Sequence, residues 1–182
     1  YIILKIASSL DGKSHIESEE RIIITSKASR DDVQILRASC DAILTGGNTL
    51  RNDNPRMNAR VNFPTNQPKK ILLTSKDCDK ELNFFKDNDV QIYKNKDLAQ
   101  IIKSFKDQDI CSILIEAGPK LANSFLELGL VDEIISYTSN NELGDDAVSW
   151  FKENNAIENY GFKLESSYKI EGDIKEVFKK NG

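Results

Sequence analysis

Two charged side chains interrupt or end apolar runs, where an α/β protein commonly places its reactive groups. Lys5 lies inside the apolar run of residues 1–8, and Glu116 ends the run CSILIE at residues 111–116. A buried charge without a partner is costly, so each is expected to meet an opposite charge or a ligand. Taken singly, either residue is explained equally well by a structural ion pair. Together, at the ends of two predicted central strands, they favour a site.

A polar segment, DAILTGGNTLRNDNPRMNAR at residues 41–60, supplies a second group of candidates. It begins as a short apolar strand, breaks at Gly46 and Gly47, and is predicted to continue as a polar loop to Arg60. Glycine lets a ligand approach the backbone closely, and ligands of open α/β sheets lie beyond the carboxyl ends of the strands. The segment therefore predicts a site for a polar ligand.

Two features predict phosphate binding. Arg37, on the helix predicted before this segment, and Arg60, at its end, can form a two-arginine clamp. A solvated surface position is the commoner fate of either arginine. Gly118 and Pro119 open a predicted helix whose first N–H groups can bind phosphate, although a plain strand-to-helix turn explains this spacing equally well.

Several chemistries are disfavoured by the residues present. No GxGxxG, Walker A, CxxC or HExxH motif occurs. The only histidine, His15, falls in a polar stretch predicted to be an exposed loop, so neither a Ser-His-Asp triad nor a metal site is expected. Cys40, Cys78 and Cys111 have neither zinc nor disulfide spacing and predict a reducing cytoplasm, with Cys40 and Cys111 buried. A bound cofactor that supplies a reactive hydride fits what remains.

Size and composition limit the class of protein. A chain of 182 residues suits a single domain over residues 1–182. The net charge of −4 argues against a nucleic-acid surface. No apolar run approaches the roughly 18 residues of a membrane span, and Lys5 argues against a signal peptide. Because the chain begins inside a predicted strand, we expect a domain of a longer polypeptide.

The order of predicted elements indicates an α/β fold with an antiparallel edge. Residues 52–67 form a predicted loop, and residues 139–159 are left unassigned. Helices are predicted at residues 27–39, 97–105 and 118–128, and strands at residues 1–8, 22–24, 41–45, 70–74, 90–93, 111–116 and 131–138, followed by a hairpin over 162–179.

Four segments in order resemble the reductase domain of the bifunctional riboflavin biosynthesis deaminase-reductase: residues 4–13 (LKIASSLDGK), 24–26 (ITS), 30–55 and 116–133. The resemblance covers nearly the whole chain and weakens after residue 143. It implies a dihydrofolate-reductase-like three-layer fold, with helices on both faces of a mostly parallel sheet and a C-terminal antiparallel hairpin. It also implies NADPH-dependent reduction of 5-amino-6-(5-phosphoribosylamino)uracil, with hydride passing to C1′ of the ring-opened imine.

The resemblance also implies roles for individual residues. Lys5 and Glu116 match catalytic positions on the substrate side, and Arg37 and Arg60 match a clamp on the ribose phosphate. The residues implied to bind substrate are Arg21, Arg37, Met57, Arg60 and Glu116. Those implied to bind cofactor are Ser8, Ile23, Thr49, Asp53, Gly118, Pro119, Lys120 and Leu121.

The chain departs from the family pattern at three positions. Arg21 stands where a small residue is usual, Ile23 where a Trp is usual, and Lys120 where a Thr is usual. No zinc-deaminase signature is present, so a fused deaminase would lie outside this sequence; a homodimer is also expected. Two alternatives stay open: a reductase of the same fold acting on another pteridine- or pyrimidine-like substrate, and a non-catalytic nucleotide-binding module.

Overall fold

The computed structural model describes residues 1–16, 22–87, 90–94, 97–151 and 155–180. Their helices are α1 (Lys27–Ala38), α2 (Gly47–Asp53), α3 (Leu98–Phe105) and α4 (Pro119–Glu127), with short 3₁₀ helices at Asn83–Phe85, Lys106–Gln108 and Ile157–Tyr160. Their strands are β1 (Ile2–Ser8), β2 (Lys13–Ile16), β3 (Ala42–Gly46), β4 (Lys69–Leu73), β5 (Val90–Tyr93), β6 (Ile113–Ile115), β7 (Glu133–Thr138), β8 (Ala147–Ser149), β9 (Phe162–Ile170) and β10 (Asp173–Lys180).

Eight strands form one sheet in the order β5-β4-β3-β6-β1-β7-β10-β9. The first six in this order are mutually parallel, whereas β10 runs antiparallel to β7 and β9. The central position of β1 explains its continuous apolar sequence, since parallel strands are covered on both faces. The predicted mostly parallel sheet with a C-terminal antiparallel hairpin is confirmed.

Alternation along β1 divides the core between two faces of the sheet. Ile2, Leu4 and Ile6 pack with α3 and α4 on one face. Ile3 packs with Leu36 of α1 on the other face. Helices therefore cover both faces, and the predicted three-layer arrangement is confirmed.

Helix α1 is fastened to the C-terminal hairpin. Ser26 caps the helix by accepting a hydrogen bond from the Ser29 amide, as expected of an N-cap serine. The buried Asp173 carboxylate accepts hydrogen bonds from the Ser26 amide at 2.7 Å and the Ser29 hydroxyl at 2.6 Å. Farther along the helix, Lys175 of β10 donates to Asp32 at 2.6 Å. The first half of α1 is thus held by residues nearly 150 positions away.

Three local predictions were wrong. Residues 22–24 form no strand, because no neighbouring strand pairs with them. His15 lies in β2, which pairs with β8, and is half-buried with its Nδ1 2.7 Å from the Ser14 hydroxyl. Cys111 is exposed, whereas Cys40 is buried as predicted.

The predicted loop after Gly46 begins as a helix. Gly46 is an extended N-cap for α2, and Asn54 ends the helix in the left-handed conformation with φ 40°. A left-handed Asn after the last turn is a common helix terminus. The glycine pair therefore starts a helix in place of the predicted turn.

None of the described helices has the length and apolar character of a membrane span. Likewise, the described residues contain no group of three or more His, Cys, Asp or Glu side chains suited to a metal ion.

Candidate active site

A large cleft lies at the carboxyl ends of the parallel strands. Lys5 of β1, Gly46 of β3, Leu73 of β4 and Glu116, directly after β6, all line it. Its volume is about 2080 Å³. Pockets for one small ligand occupy roughly 300–1,000 Å³, so the cleft has room for two ligands side by side.

Three charged side chains meet on one wall of the cleft. The guanidinium of Arg37 donates from Nε to Glu116 Oε1 at 2.6 Å and from Nη2 to Oε2 at 2.9 Å. The Lys5 ammonium lies 3.6 Å from Glu116 Oε2. Arg37 and Glu116 are buried, whereas Lys5 is half-buried and faces the cleft. Each buried charge therefore has the partner that its burial requires.

Glu116 is a permanent anion in this setting. Burial by itself would raise its pKa, but the charges of Arg37 and Lys5 and the hydrogen bonds of Arg37 outweigh burial and lower the pKa to about 2. The same pair raises the pKa of Arg37, although burial acts in the opposite direction. Glu116 consequently neither takes up nor releases a proton near pH 7.

The predicted two-arginine clamp is changed by this ion pair. Nε and Nη2 of Arg37 are bound to Glu116, and Nη1 donates to the Asn58 carbonyl at 3.3 Å and to Gln34 Oε1 at 3.5 Å. These bonds use four of the five N–H donors of the guanidinium, so Arg37 cannot offer a two-pronged contact to a phosphate without giving up one of these partners. Arg60, by contrast, is exposed and lines the cleft, and no described residue hydrogen-bonds to its guanidinium.

The segment 57–60 presents Arg60 in an unusual backbone conformation. Met57 is buried and has a backbone φ of 51°, which is uncommon for a residue other than glycine. The Arg60 amide donates to Gln34 Oε1 at 3.2 Å. Partial burial, together with the positive charges of Arg37 and Arg56, lowers the pKa of Arg60. The potential around its guanidinium is therefore positive and suits an anion.

Two helix starts form another part of the cleft lining. Thr49 of α2 accepts a hydrogen bond from the Gly118 amide at 3.2 Å, which joins α2 to the start of α4. Gly118, the N-cap of α4, provides no side-chain cap to the first turn. Gly47 lies so close to Thr74 that a Cβ would be 2.5 Å from the Thr74 hydroxyl oxygen. Only glycine allows this approach of α2 to the end of β4.

Basic side chains surround these helix starts. Arg51 lies on α2 and Lys120 on α4, and both line the cleft together with Lys76 and Lys94. Arg51 donates to the Asn48 side chain at 2.7 Å, and Lys94 forms an exposed ion pair with Asp77 at 2.8 Å. Amides, hydroxyls and cations together are the donor set that phosphate groups require.

Of the predicted site residues that the structure describes, all but one line the cleft. Ser8 is buried and does not line the cleft; alternation along β1 directs Lys5 and Ala7 towards the cleft and Ser8 to the other face, where its hydroxyl lies 3.3 Å from that of Thr138. Arg21 lies outside the described residues. The predicted residues that line the cleft are Lys5, Ile23, Arg37, Thr49, Asp53, Met57, Arg60, Glu116, Gly118, Pro119, Lys120 and Leu121.

Two of the lining residues that the sequence prediction missed are Gln34 and Trp150. Gln34 lies three positions before Arg37 on α1, so helical spacing alone would have placed it on the same face. Trp150, the only tryptophan of the chain, follows β8 and donates its indole N–H to the Ala7 carbonyl at 2.7 Å. No local pattern signals this contact, because it joins residues 143 positions apart.

Comparison with known proteins agrees with the resemblance drawn from the sequence motifs. The family model described as the RibD C-terminal domain matches residues 1–175. The riboflavin biosynthesis protein RibD of Buchnera aphidicola is 31% identical over 226 aligned positions, which cover 100% of this chain and 60% of that protein. RibD of Escherichia coli is 33% identical, over 81% of this chain and 50% of its own length.

A solved structure of Acinetobacter baumannii RibD superimposes with a TM-score of 0.90 at 29% identity, covering 100% of this chain and 58% of that one. The chain thus spans between half and three fifths of the length of these relatives. The match over residues 1–175 leads to one conclusion: the chain belongs to the RibD C-terminal domain family.

Proposed function

We propose that this chain is the reductase of riboflavin biosynthesis that converts 5-amino-6-(5-phosphoribosylamino)uracil to its ribitylamino product with NADPH. Family membership supports the pathway. The observation that carries the proposal is the placement of Lys5, held 3.6 Å from Glu116, in one cleft with Arg60. An ammonium group beside a cation that can bind phosphate suits a phosphorylated substrate that must be protonated.

The donor set at the start of α4 fits a phosphorylated nucleotide such as NADPH. In this assignment Gly118, Lys120 and Leu121 provide the helix start, with Pro119 at the position where a missing N–H costs nothing. Thr49 and Asp53 face the same space from α2. Arg51 and Lys76 add the positive charge that a nucleotide phosphate requires.

Bound NADPH would supply a hydride for C1′ of the ribosyl group, leaving one proton to be provided by the protein or solvent. Lys5 is the candidate proton donor, because its ammonium group faces the cleft and is held by Glu116. The two sp² centres of the ring-opened imine, C1′ and nitrogen, would then receive hydride and proton respectively. Alignment of substrate and cofactor in a shared cleft provides the remaining acceleration.

Glu116 and Arg37 are proposed to position Lys5. Both Glu116 oxygens are engaged by Arg37, and a carboxylate with a pKa of about 2 is a poor general acid. Arg60 is proposed to bind the substrate phosphate, and the rigid backbone at Met57 to hold it in place. Ile23, which is 62% exposed in the cleft, is proposed to provide apolar contact where the family usually has a Trp.

Assembly and location complete the proposal. Relatives twice this length suit fusion to a zinc deaminase domain. Strand β9 is a nine-residue sheet edge with Leu164 and Tyr168 exposed, and unpaired edges of this kind can pair with a second chain. We therefore propose a homodimer, to be tested by light scattering, in the cytoplasm, where the three free cysteines would stay reduced.

Oxidation of NADPH at 340 nm, with the deaminated pyrimidine as substrate, tests the function. Steady oxidation coupled to formation of the ribitylamino product is expected, with NADH less effective. Turnover only with other pteridine- or pyrimidine-like acceptors would replace the proposed substrate. Cofactor binding without turnover of any acceptor would leave a nucleotide-binding module.

A further inference from the structure

The segment that presents Arg60 is held by side-chain amides instead of a strand ladder. Gln67 pairs with both backbone groups of Ala59, accepting from its N–H and donating to its carbonyl at 2.9 Å each. Gln34 accepts from the next amide, that of Arg60, at 3.2 Å. The direction of the Arg60 side chain thus depends on these two glutamines.

Both ends of the Gln34 amide group serve this purpose. Its Nε2 donates to the Arg30 carbonyl one turn earlier at 3.1 Å, which fixes the side chain on α1. Its Oε1 then faces both arginines, at 3.2 Å from the Arg60 amide and 3.5 Å from Arg37 Nη1. The side chain is 7% exposed and lines the cleft. The Gln34 oxygen is thus engaged by Arg60 and Arg37, and through that oxygen Gln34 acts on its neighbours.

The neutrality of Gln34 matters as much as its shape. The single Glu116 carboxylate faces both Arg37 and Lys5, so together with Arg60 these side chains leave this part of the cleft with a net positive charge. A carboxylate at position 34 would keep the acceptor for the Arg60 amide, but it would lose the donor to the Arg30 carbonyl and add a negative charge beside the anion site. A glutamine provides the acceptor without the charge.

We propose that Gln34 is a positioning residue that orients Arg60 for a phosphate ester and keeps the anion site positive. This inference rests on the proposed function, since the phosphate ester is that of the substrate. The inference adds that the side-chain amide of Gln34, and not its volume, determines the affinity for phosphate.

Binding of ribose 5-phosphate, measured by calorimetry on the folded protein, tests the proposal without requiring turnover. Gln34→Met keeps the volume but removes the acceptor, and we expect about three- to tenfold weaker binding, the effect of one neutral hydrogen bond. Gln34→Glu restores the acceptor and adds a charge, and we expect binding at least about tenfold weaker. If Gln34 acted only as an acceptor that shapes the segment, the order would be reversed: Gln34→Glu, which keeps the acceptor, would bind ribose 5-phosphate more tightly than Gln34→Met.

The matched control is Gln100→Glu, an exposed glutamine on α3 outside the cleft. It makes the same change in net charge and should alter binding by less than about twofold. Wild-type affinity in Gln34→Glu, or an equal loss in the control, overturns the proposal. A reductase whose KM is insensitive to Gln34→Glu also overturns it, while leaving the proposed function intact. A wild-type protein that binds the probe but reduces nothing overturns the function alone.

Discussion

Arg37 donates two parallel hydrogen bonds to Glu116, at 2.6 and 2.9 Å, across a sequence separation of 79 residues. This bidentate geometry is the strongest form of an arginine–carboxylate pair. It joins α1 to the end of β6 at the point where Lys5 approaches from β1. The pair is therefore the structural basis of the cleft wall, and its removal should lower both stability and activity.

Acid should destabilise the protein through Glu116. Its pKa in the folded state is about 2, against an ordinary value of 4.5, so its ionisation stabilises the fold above pH 4.5. This contribution, about 3 kcal/mol at most, is lost as the pH falls from 4.5 towards 2. Urea unfolding at a series of pH values measures it, as the difference between wild type and Glu116→Gln. A constant difference across that range would contradict the assignment.

The Glu116→Gln substitution should itself cost about 3–5 kcal/mol, because it leaves Arg37 buried without its counter-ion. Removing both charges in Glu116→Gln/Arg37→Met should recover part of the loss. If the double variant is as unstable as the sum of the two single variants, the ion pair contributes no coupling energy.

Lys5→Met should lower kcat by about 10²–10⁴, the usual contribution of a positioned proton donor. Cofactor affinity should stay within about threefold of wild type, since the proposed cofactor contacts come from α2 and the start of α4 and not from Lys5. Trp150 lines the cleft and is the only tryptophan, so its fluorescence reports cofactor binding independently of turnover. Lys13→Met, at a lysine outside the cleft, is the control, and wild-type kcat in Lys5→Met would exclude Lys5 as the donor.

Arg60→Ala should raise KM for the phosphorylated substrate by about ten- to hundredfold, the value of a charge-assisted hydrogen bond, with a smaller effect on kcat. The comparison is Arg56→Ala, which should raise KM less, because Arg56 acts on Arg60 only through its charge and pairs with Asp87 at 2.7 Å instead of lining the cleft. Steady-state kinetics with phosphorylated and dephosphorylated substrates separate an effect on phosphate binding from other effects of the two substitutions. Equal KM values for wild type and Arg60→Ala would show that another group binds the phosphate.

Gly47→Ala should destabilise the fold by about 1–3 kcal/mol, because a Cβ at this position would lie 2.8 Å from the Thr74 Cβ. Thermal or urea unfolding measures the change. Gly118→Ala is the comparison, since its added Cβ would have only the Thr49 hydroxyl within 4 Å, at 3.8 Å. Equal stability of the two variants would mean that α2 moves freely against the end of β4.

Sequence patterns predicted the sheet well because its strands are buried apolar runs with clear boundaries in the sequence. The apolar run around Lys5 became central β1, and the Gly118–Pro119 pair indeed opened α4. The same patterns misread α2, whose seven residues are too few to show a helical period. They also missed β2 and β8, whose pairing joins residues more than 130 positions apart.

The candidate site was likewise predicted from the sequence only in part. Lys5, Arg60 and Glu116, which the sequence singled out, all line one cleft: Lys5 lies within β1, Glu116 directly follows β6, and Arg60 ends the segment that begins with β3. What they could not provide was the partner of each charge. Whether Arg37 meets a ligand or Glu116 depends on side-chain geometry across the sheet, and the structure shows the ion pair.

The bonds from Asp173 and Lys175 to helix α1 have a consequence for the order of assembly. Ser26, Ser29 and Asp32 are synthesised early, but their partners emerge almost 150 residues later. Until then the helix that carries Gln34 and Arg37 lacks its outer attachment, and β7 lacks its antiparallel neighbour. A nascent chain that stops before residue 173 therefore holds every cleft residue named above without the ties that fix α1.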